Sequence, residues 1–130
     1  MVAMTDDLYT GIADAVSPVY VTTVNKWYEG SFMSRVEARC SSIDIGTRWS
    51  KNDLIGRKIE ADMYDEVICI PALGEDGETY CKEAISTDSL LRIKGFIDPN
   101  TWEAEYQQNP VDVTGVLLSA DELSYFEMPD

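Results

Sequence analysis

Residues 41–57 read SSIDIGTRWSKNDLIGR. Ile43 and Ile45 alternate with polar neighbours over SSIDIGT (41–47), the period of a half-buried strand. The residues that follow predict a helix over 50–61. Ser50 stands where an N-cap is expected and Asp53 comes three residues on, a capping box with Asp in place of Glu. Trp49 and Leu54 would then close a hydrophobic staple across the cap, with Leu54, Ile55 and Ile59 facing the core. An ordinary strand-to-helix turn uses Gly, Asn or Asp, whereas this one holds Thr47, Arg48 and Trp49. The staple accounts for the tryptophan and leaves the arginine open.

Working outward, MVAMT (1–5) is a short apolar run that stops at Asp6 and Asp7 and predicts a buried strand. Val21, Val24, Trp27, Tyr28, Phe32 and Val36 recur at helical spacing, which predicts a helix over 19–38 opened after Ser17-Pro18. EVICI (66–70), β-branched and closed by Pro71, predicts a third, buried strand. GEDGE (74–78) is a surface turn. Ser86 or Thr87 caps a helix through Leu90, Leu91 and Ile93 that ends at Gly95. Asp98-Pro99 opens another, carrying Trp102 and Tyr106 and stopped by Asn109-Pro110. This alternation predicts an α/β fold, a parallel sheet covered by helices, with ligands at the carboxyl ends of the strands. Asp6-Asp7 close one strand and Thr47-Arg48 another. If the strands are neighbours, acids and arginine converge on one crevice.

Composition narrows the chemistry. The 130 residues are enough for one domain, and 45% hydrophobic with 26% charged residues is a globular balance. No run of about 18 apolar residues marks a membrane span, and MVAMTDDLY lacks the basic start of a secretory leader. Three cysteines, Cys40, Cys69 and Cys81, stand at wide and irregular spacing, which favours reduced structural thiols over a disulfide framework or zinc site. Histidine is absent, which excludes Ser-His and Cys-His nucleophile systems. A net charge of −14 speaks against this chain alone gripping nucleic acid.

An apolar strand ending in two acids is how P-loop ATPases hold Mg²⁺ and orient the attacking water. Two acids at a strand end are more often a solvated turn or a helix cap. Thr and Arg on an adjacent strand tip could report the terminal phosphate through a hydroxyl and a guanidinium. A surface ion pair is the plain alternative for Arg48.

Further motifs make the pattern specific. Thr47-Arg48-Trp49 is followed by Asn52-Asp53-Leu54, Gly56-Arg57, then Ile70-Pro71-Ala72-Leu73, and finally Trp102, Ala104-Glu105-Tyr106-Gln107-Gln108-Asn109-Pro110-Val111. In order and spacing, with Asp6-Asp7, Tyr9, Trp27-Tyr28 and Ser34-Arg35, these resemble the large subunit of tailed-phage DNA-packaging terminases where the ATPase domain joins the nuclease domain. The resemblance implies a partial P-loop-type (ASCE) sheet with flanking helices over 1–85, a helical linker over 86–111, and the start of a nuclease domain over 112–130. It implies Asp6 as the Mg²⁺-associated acid, Asp7 as the catalytic acid, and Thr47, Arg48 and Trp49 as the motif coupling nucleotide state to DNA movement. ATP and Mg²⁺ would be the cofactors of the completed domain. Its partners would be an upstream P-loop segment or full motor subunits, the small subunit, the portal and double-stranded DNA, in the cytoplasm of an infected bacterium. No Gly-x-x-x-x-Gly-Lys-Ser/Thr occurs, and no Gly precedes Lys; the expectation is a truncated or split product, inactive alone because nothing cradles the phosphates. Two other readings stay open. One is a non-catalytic acidic module or prophage remnant that docks on packaging proteins. The other is an independent Mg²⁺ hydrolase using Asp6, Asp7 and a further acid such as Asp44.

Overall fold

The computed structural model describes residues 1–37 and 39–111. Two strands, β1 (Val2–Asp6) and β2 (Ser41–Ile45), pair in parallel, Val2 opposite Ser41 and Asp6 opposite Ile45. Between them run α1 (Ile12–Ala15) and α2 (Pro18–Trp27), and after them α3 (Leu54–Glu60). The architecture is mixed α/β, with a two-stranded parallel sheet among the described residues and helices packed beside it.

The helix expected over 19–38 divides. Ser17 caps α2 and Pro18 occupies its first turn, as the sequence indicates. After Trp27 the backbone widens into a π-turn over Tyr28–Phe32 and then tightens into a 3₁₀ turn over Met33–Arg35. Gly30 weakens the α-helix there, and the rings of Tyr28 and Phe32 stack 5.0 Å apart across the widened turn. Tyr28 joins Tyr9, Ala15, Val24 and Leu54 in the first core cluster, with Trp49 packed against it.

The sheet is apolar on its open side. Val2, Met4, Ile43 and Ile45 are exposed, while Thr5 is buried; alternation puts Thr5 and its partner Asp44 on the opposite, helix-covered face. β1 is therefore not the fully buried strand its composition suggests. Nor is there a strand at 66–70. Val67, Ile68 and Ile70 are exposed and unladdered, because β-branched residues make a strand only where a sheet edge takes up their backbone groups.

The helix after β2 starts later than Ser50. Asp53 is its N-cap, accepting from the Gly56 amide at 2.7 Å, while Ser50 Oγ accepts from the Asn52 amide within the preceding turn. Leu54, Gly56 and Lys58 form the buried face, and Ile59 is exposed.

A second cluster of Leu73, Leu90 and Trp102 gathers Ala72, Ile85, Ile93, Ile97 and Tyr106, so it spans the domain boundary expected at residue 85. The turn at 74–78 forms as expected, with Gly77 at φ +75° and Leu73 bridging Thr79. α4 (Thr87–Lys94) is capped by Ser86, and α5 (Pro99–Thr101) by Asp98. α5 runs into a π-turn over Trp102–Tyr106, whose terminal rings stack 4.9 Å apart. The expected nuclease start at 112–130 lies outside the described residues.

A Cβ on Gly56 would overlap the Lys51 carbonyl oxygen and lie 2.5 Å from an Arg48 guanidinium nitrogen. Gly56→Ala should therefore lower stability by about 1–3 kcal/mol, read from the urea midpoint. Gly30→Ala, whose Cβ meets nothing within 4 Å, serves as the control. An unshifted midpoint in Gly56→Ala would show that this contact is not close-packed.

Candidate functional site

The tips of β1 and β2 lie side by side. The Asp7 amide donates to the Ile45 carbonyl at 3.1 Å, and the chain then turns with Asp7 at φ +41°. This left-handed conformation is uncommon outside glycine, with Asp and Asn the residues best able to hold it. It brings the Asp7 carboxylate to the Thr47 amide at 3.4 Å. Thr5, Asp7, Tyr9, Gly46, Thr47 and Asp53 border a cleft here, with about 10 Å³ of space, room for one water-sized group. The buried Tyr9 hydroxyl makes no well-formed hydrogen bond and has only the Leu54 backbone as a weak partner. Burial, and then the Asp53 charge, push its pKa up. Asp6 sits one residue earlier, exposed at the strand end and on the open face with Val2 and Met4. Asp7 and Thr47 are thus brought together, and Asp6 looks away from them.

Arg48 answers the question raised by its turn. Its Nε lies 3.1 and 3.0 Å from the two Asp53 carboxylate oxygens, and Nη2 donates to the Ser50 carbonyl at 3.4 Å. Asp53 is only 2% exposed and also accepts from the Ser50 and Gly56 amides. The guanidinium neutralises a buried cap carboxylate, which is a firmer role than a surface ion pair. On its other side Arg48 borders an open groove of about 330 Å³ with Lys51, Asn52, Gly56, Ile59 and Glu60. Trp49 packs on the first core cluster, although the staple geometry is replaced by the later helix start.

The motifs that stand far apart in sequence meet in space. The Arg48 amide donates to Gln108 Oε1 at 3.0 Å, the Leu73 amide to Gln107 Oε1 at 3.2 Å, and the Ala72 amide to the Tyr106 carbonyl at 2.7 Å. Thr-Arg-Trp and Ile-Pro-Ala-Leu are therefore each bonded to Tyr-Gln-Gln-Asn-Pro. Local pattern could not reveal this, because glutamine has no spacing signature.

Asp44 is not a third site acid. Its side chain is 1% exposed and accepts from Thr5 Oγ1 at 2.6 Å, Tyr64 Oη at 2.8 Å and Lys58 Nζ at 2.5 Å. Lys58 also donates to Tyr28 Oη at 2.6 Å and lies over the Tyr28 and Tyr64 rings. Burial raises the Asp44 pKa, but the hydrogen bonds from Lys58, Thr5 and Tyr64 outweigh it and hold the carboxyl below its ordinary range. Burial likewise lowers Lys58, and its bonds to Asp44 and Tyr28 win and raise it. Burial and the Asp44 carboxylate raise Tyr64. This grouping was missed in the sequence, where Lys58 reads as a solvated helix residue; its one signal is its place four residues after the core residue Leu54. Among the described residues no three Asp, Glu, Cys or His side chains converge to hold a metal, so the Asp6–Asp7–Asp44 grouping is not formed.

Comparison with protein-family models, curated proteins and solved structures gives no match to this chain.

Removing one partner of a buried pair should cost about 3–5 kcal/mol, more than replacing both. Lys58→Met is therefore expected to lose more stability than Lys58→Met combined with Asp44→Asn, in urea melts at pH 7. Because the Asp44 pKa is lower in the folded state, its contribution is present above about 3.8 and lost as pH falls below that. Because the Lys58 pKa is raised, its contribution is present below about 10.5 and lost as pH climbs beyond it. Equal melts for the single and double variants would mean the pair is not coupled.

Proposed function

We propose that this chain is a segment of a tailed-phage terminase large subunit, the ATP-driven motor and nuclease of viral DNA packaging. It would run from the second half of the ATPase domain into the linker toward the nuclease. The observation that carries the reading is the meeting of Asp7 with Thr47 across neighbouring parallel strand tips, where open α/β sheets place their ligands.

Two further features support it. Parallel sheets are ordinarily covered on both faces, yet Val2, Met4, Ile43 and Ile45 leave one face bare and apolar. Further strands and helices of a P-loop-type (ASCE) sheet would bury that face. The Tyr9 hydroxyl, buried beside the cleft with only the Leu54 backbone as a weak partner, is a polar group that a ligand could satisfy.

Donor chemistry fits Mg²⁺ in part. Mg²⁺ at phosphate sites takes one or two carboxylates and keeps several waters. Asp6, the acid that the resemblance gives to the metal, faces the open side of the sheet, away from Asp7 and Thr47, and would have to turn toward them to hold it. When bound, Mg²⁺ would neutralise charge on the nucleotide phosphates. Asp7, fixed by the Thr47 amide, would take up the proton of the attacking water, and the Thr47 hydroxyl would contact phosphate. Arg48 would act through Asp53 and α3, or reach phosphate only by leaving Asp53. No phosphate-cradling Gly-Lys loop occurs in residues 1–130, so catalysis requires a P-loop-bearing polypeptide. The small subunit, portal, double-stranded DNA and the host cytoplasm belong to this reading. A non-catalytic acidic docking module is the second reading, favoured by the same bare apolar face and by the net charge of −14.

The test is ATP turnover and binding of a fluorescent ATP analogue, with the chain alone and joined to a P-loop-bearing terminase segment. The chain alone should hydrolyse nothing. The completed protein should turn over ATP, and Asp7→Asn should cut that rate by about 100-fold or more. Turnover by the chain alone, or indifference of the completed protein to Asp7→Asn, would overturn the proposal.

A further inference from the structure

We propose that Gln108 is a positioning residue that couples the Asp7–Thr47 tip to the segment carrying Trp102–Tyr106. The functional meaning rests on the reading of Asp7 above; the contact path does not. Consecutive backbone amides carry the two ends. The Thr47 amide donates to Asp7 Oδ1 at 3.4 Å and the Arg48 amide to Gln108 Oε1 at 3.0 Å. The two N–H groups lie in successive peptide planes that share the Thr47 Cα, so a shift of that Cα is passed to the Arg48 amide.

Gln108 has more than a capping duty. The carbonyls left at a helix end need donors, and its Nε2 supplies one, donating to the Glu105 carbonyl at 2.6 Å. Its acceptor oxygen is spent on the amide of Arg48, the residue before Trp49, which packs on the first core cluster. The orientation of the amide follows from its partners: a flip would set NH₂ against the Arg48 N–H. Gln108 also holds φ +56°, a left-handed conformation that costs a non-glycine residue energy and that surrounding contacts must sustain. The residues just before it hold the second cluster. Gln107 Oε1 accepts from the Leu73 amide and the Tyr106 carbonyl from the Ala72 amide. The path thus runs Asp7, Thr47, Arg48, Gln108, then residues 106–107 to Ala72 and Leu73.

Hydrogen exchange on the intact chain, without nucleotide, tests it. Asp7→Gly removes the carboxylate while keeping a residue at ease with φ +41°. It should speed exchange at the Ala72 and Leu73 amides by about threefold or more, and leave the Leu90 amide, bonded to Ser86, unchanged. In a Gln108→Met background, which keeps bulk and removes the bond, Asp7→Gly should produce no further change at Ala72 or Leu73. Gln108→Ala is the second background, should the methionine repack. Unchanged Ala72 and Leu73 exchange in Asp7→Gly, or an equal acceleration with and without Gln108, would overturn the coupling. The ATP measurements above stand apart from this result. A completed protein that fails to turn over ATP would sink the motor reading and leave the exchange result intact.

Discussion

The Arg48–Asp53 pair holds the middle of the molecule in place. A buried carboxylate is tolerated only when neutralised and hydrogen-bonded, and Asp53 receives Arg48 Nε on both oxygens and two backbone amides besides. With Asp53 held there, α3 begins at Leu54, and its buried face is set by helical geometry. Leu54 enters the first core, Gly56 passes against Arg48 and Lys51, and Lys58, one turn past Leu54, comes under the sheet.

What Lys58 meets there explains the sheet's unusual polarity. The covered face presents Thr5 and Asp44, knit to Lys58, Tyr28 and Tyr64. A network of this kind is worth keeping only if every member is satisfied, and here the carboxylate accepts three hydrogen bonds while the ammonium has two oxygen partners and two rings. Val2, Met4, Ile43 and Ile45 are left on the other side, facing outward. That surface is a hydrophobic face with no layer over it among the described residues.

The strand tips link these packing facts to chemistry. The turn that follows β1 separates Asp6 from Asp7, giving the two acids different surroundings although they are neighbours in sequence. One is solvated at the open face; the other is fixed by the Thr47 amide. Arg48 stands between this tip and the far segment through its amide, while its side chain serves α3.

Much of the local structure was legible in the sequence. The strands at 2–6 and 41–45, the Ser17-Pro18, Ser86 and Asp98-Pro99 helix starts, and the 74–78 turn follow from capping, proline and glycine chemistry that acts within a few residues. Alternation of strand and helix left the adjacency of the two strand tips as a condition, which the β1–β2 pairing meets. Other features depended on partners distant in the chain. Residues 66–70 have the composition of a strand but no edge to join. The helix cap moved from Ser50 to Asp53 because Arg48 stabilises a buried charge there. Asp44 became a core acid because Lys58, Tyr64 and Thr5 surround it, and Gln108 found Arg48 sixty residues away. Short-range stereochemistry is written residue by residue; burial, pairing and charge compensation exist only after the chain has closed on itself.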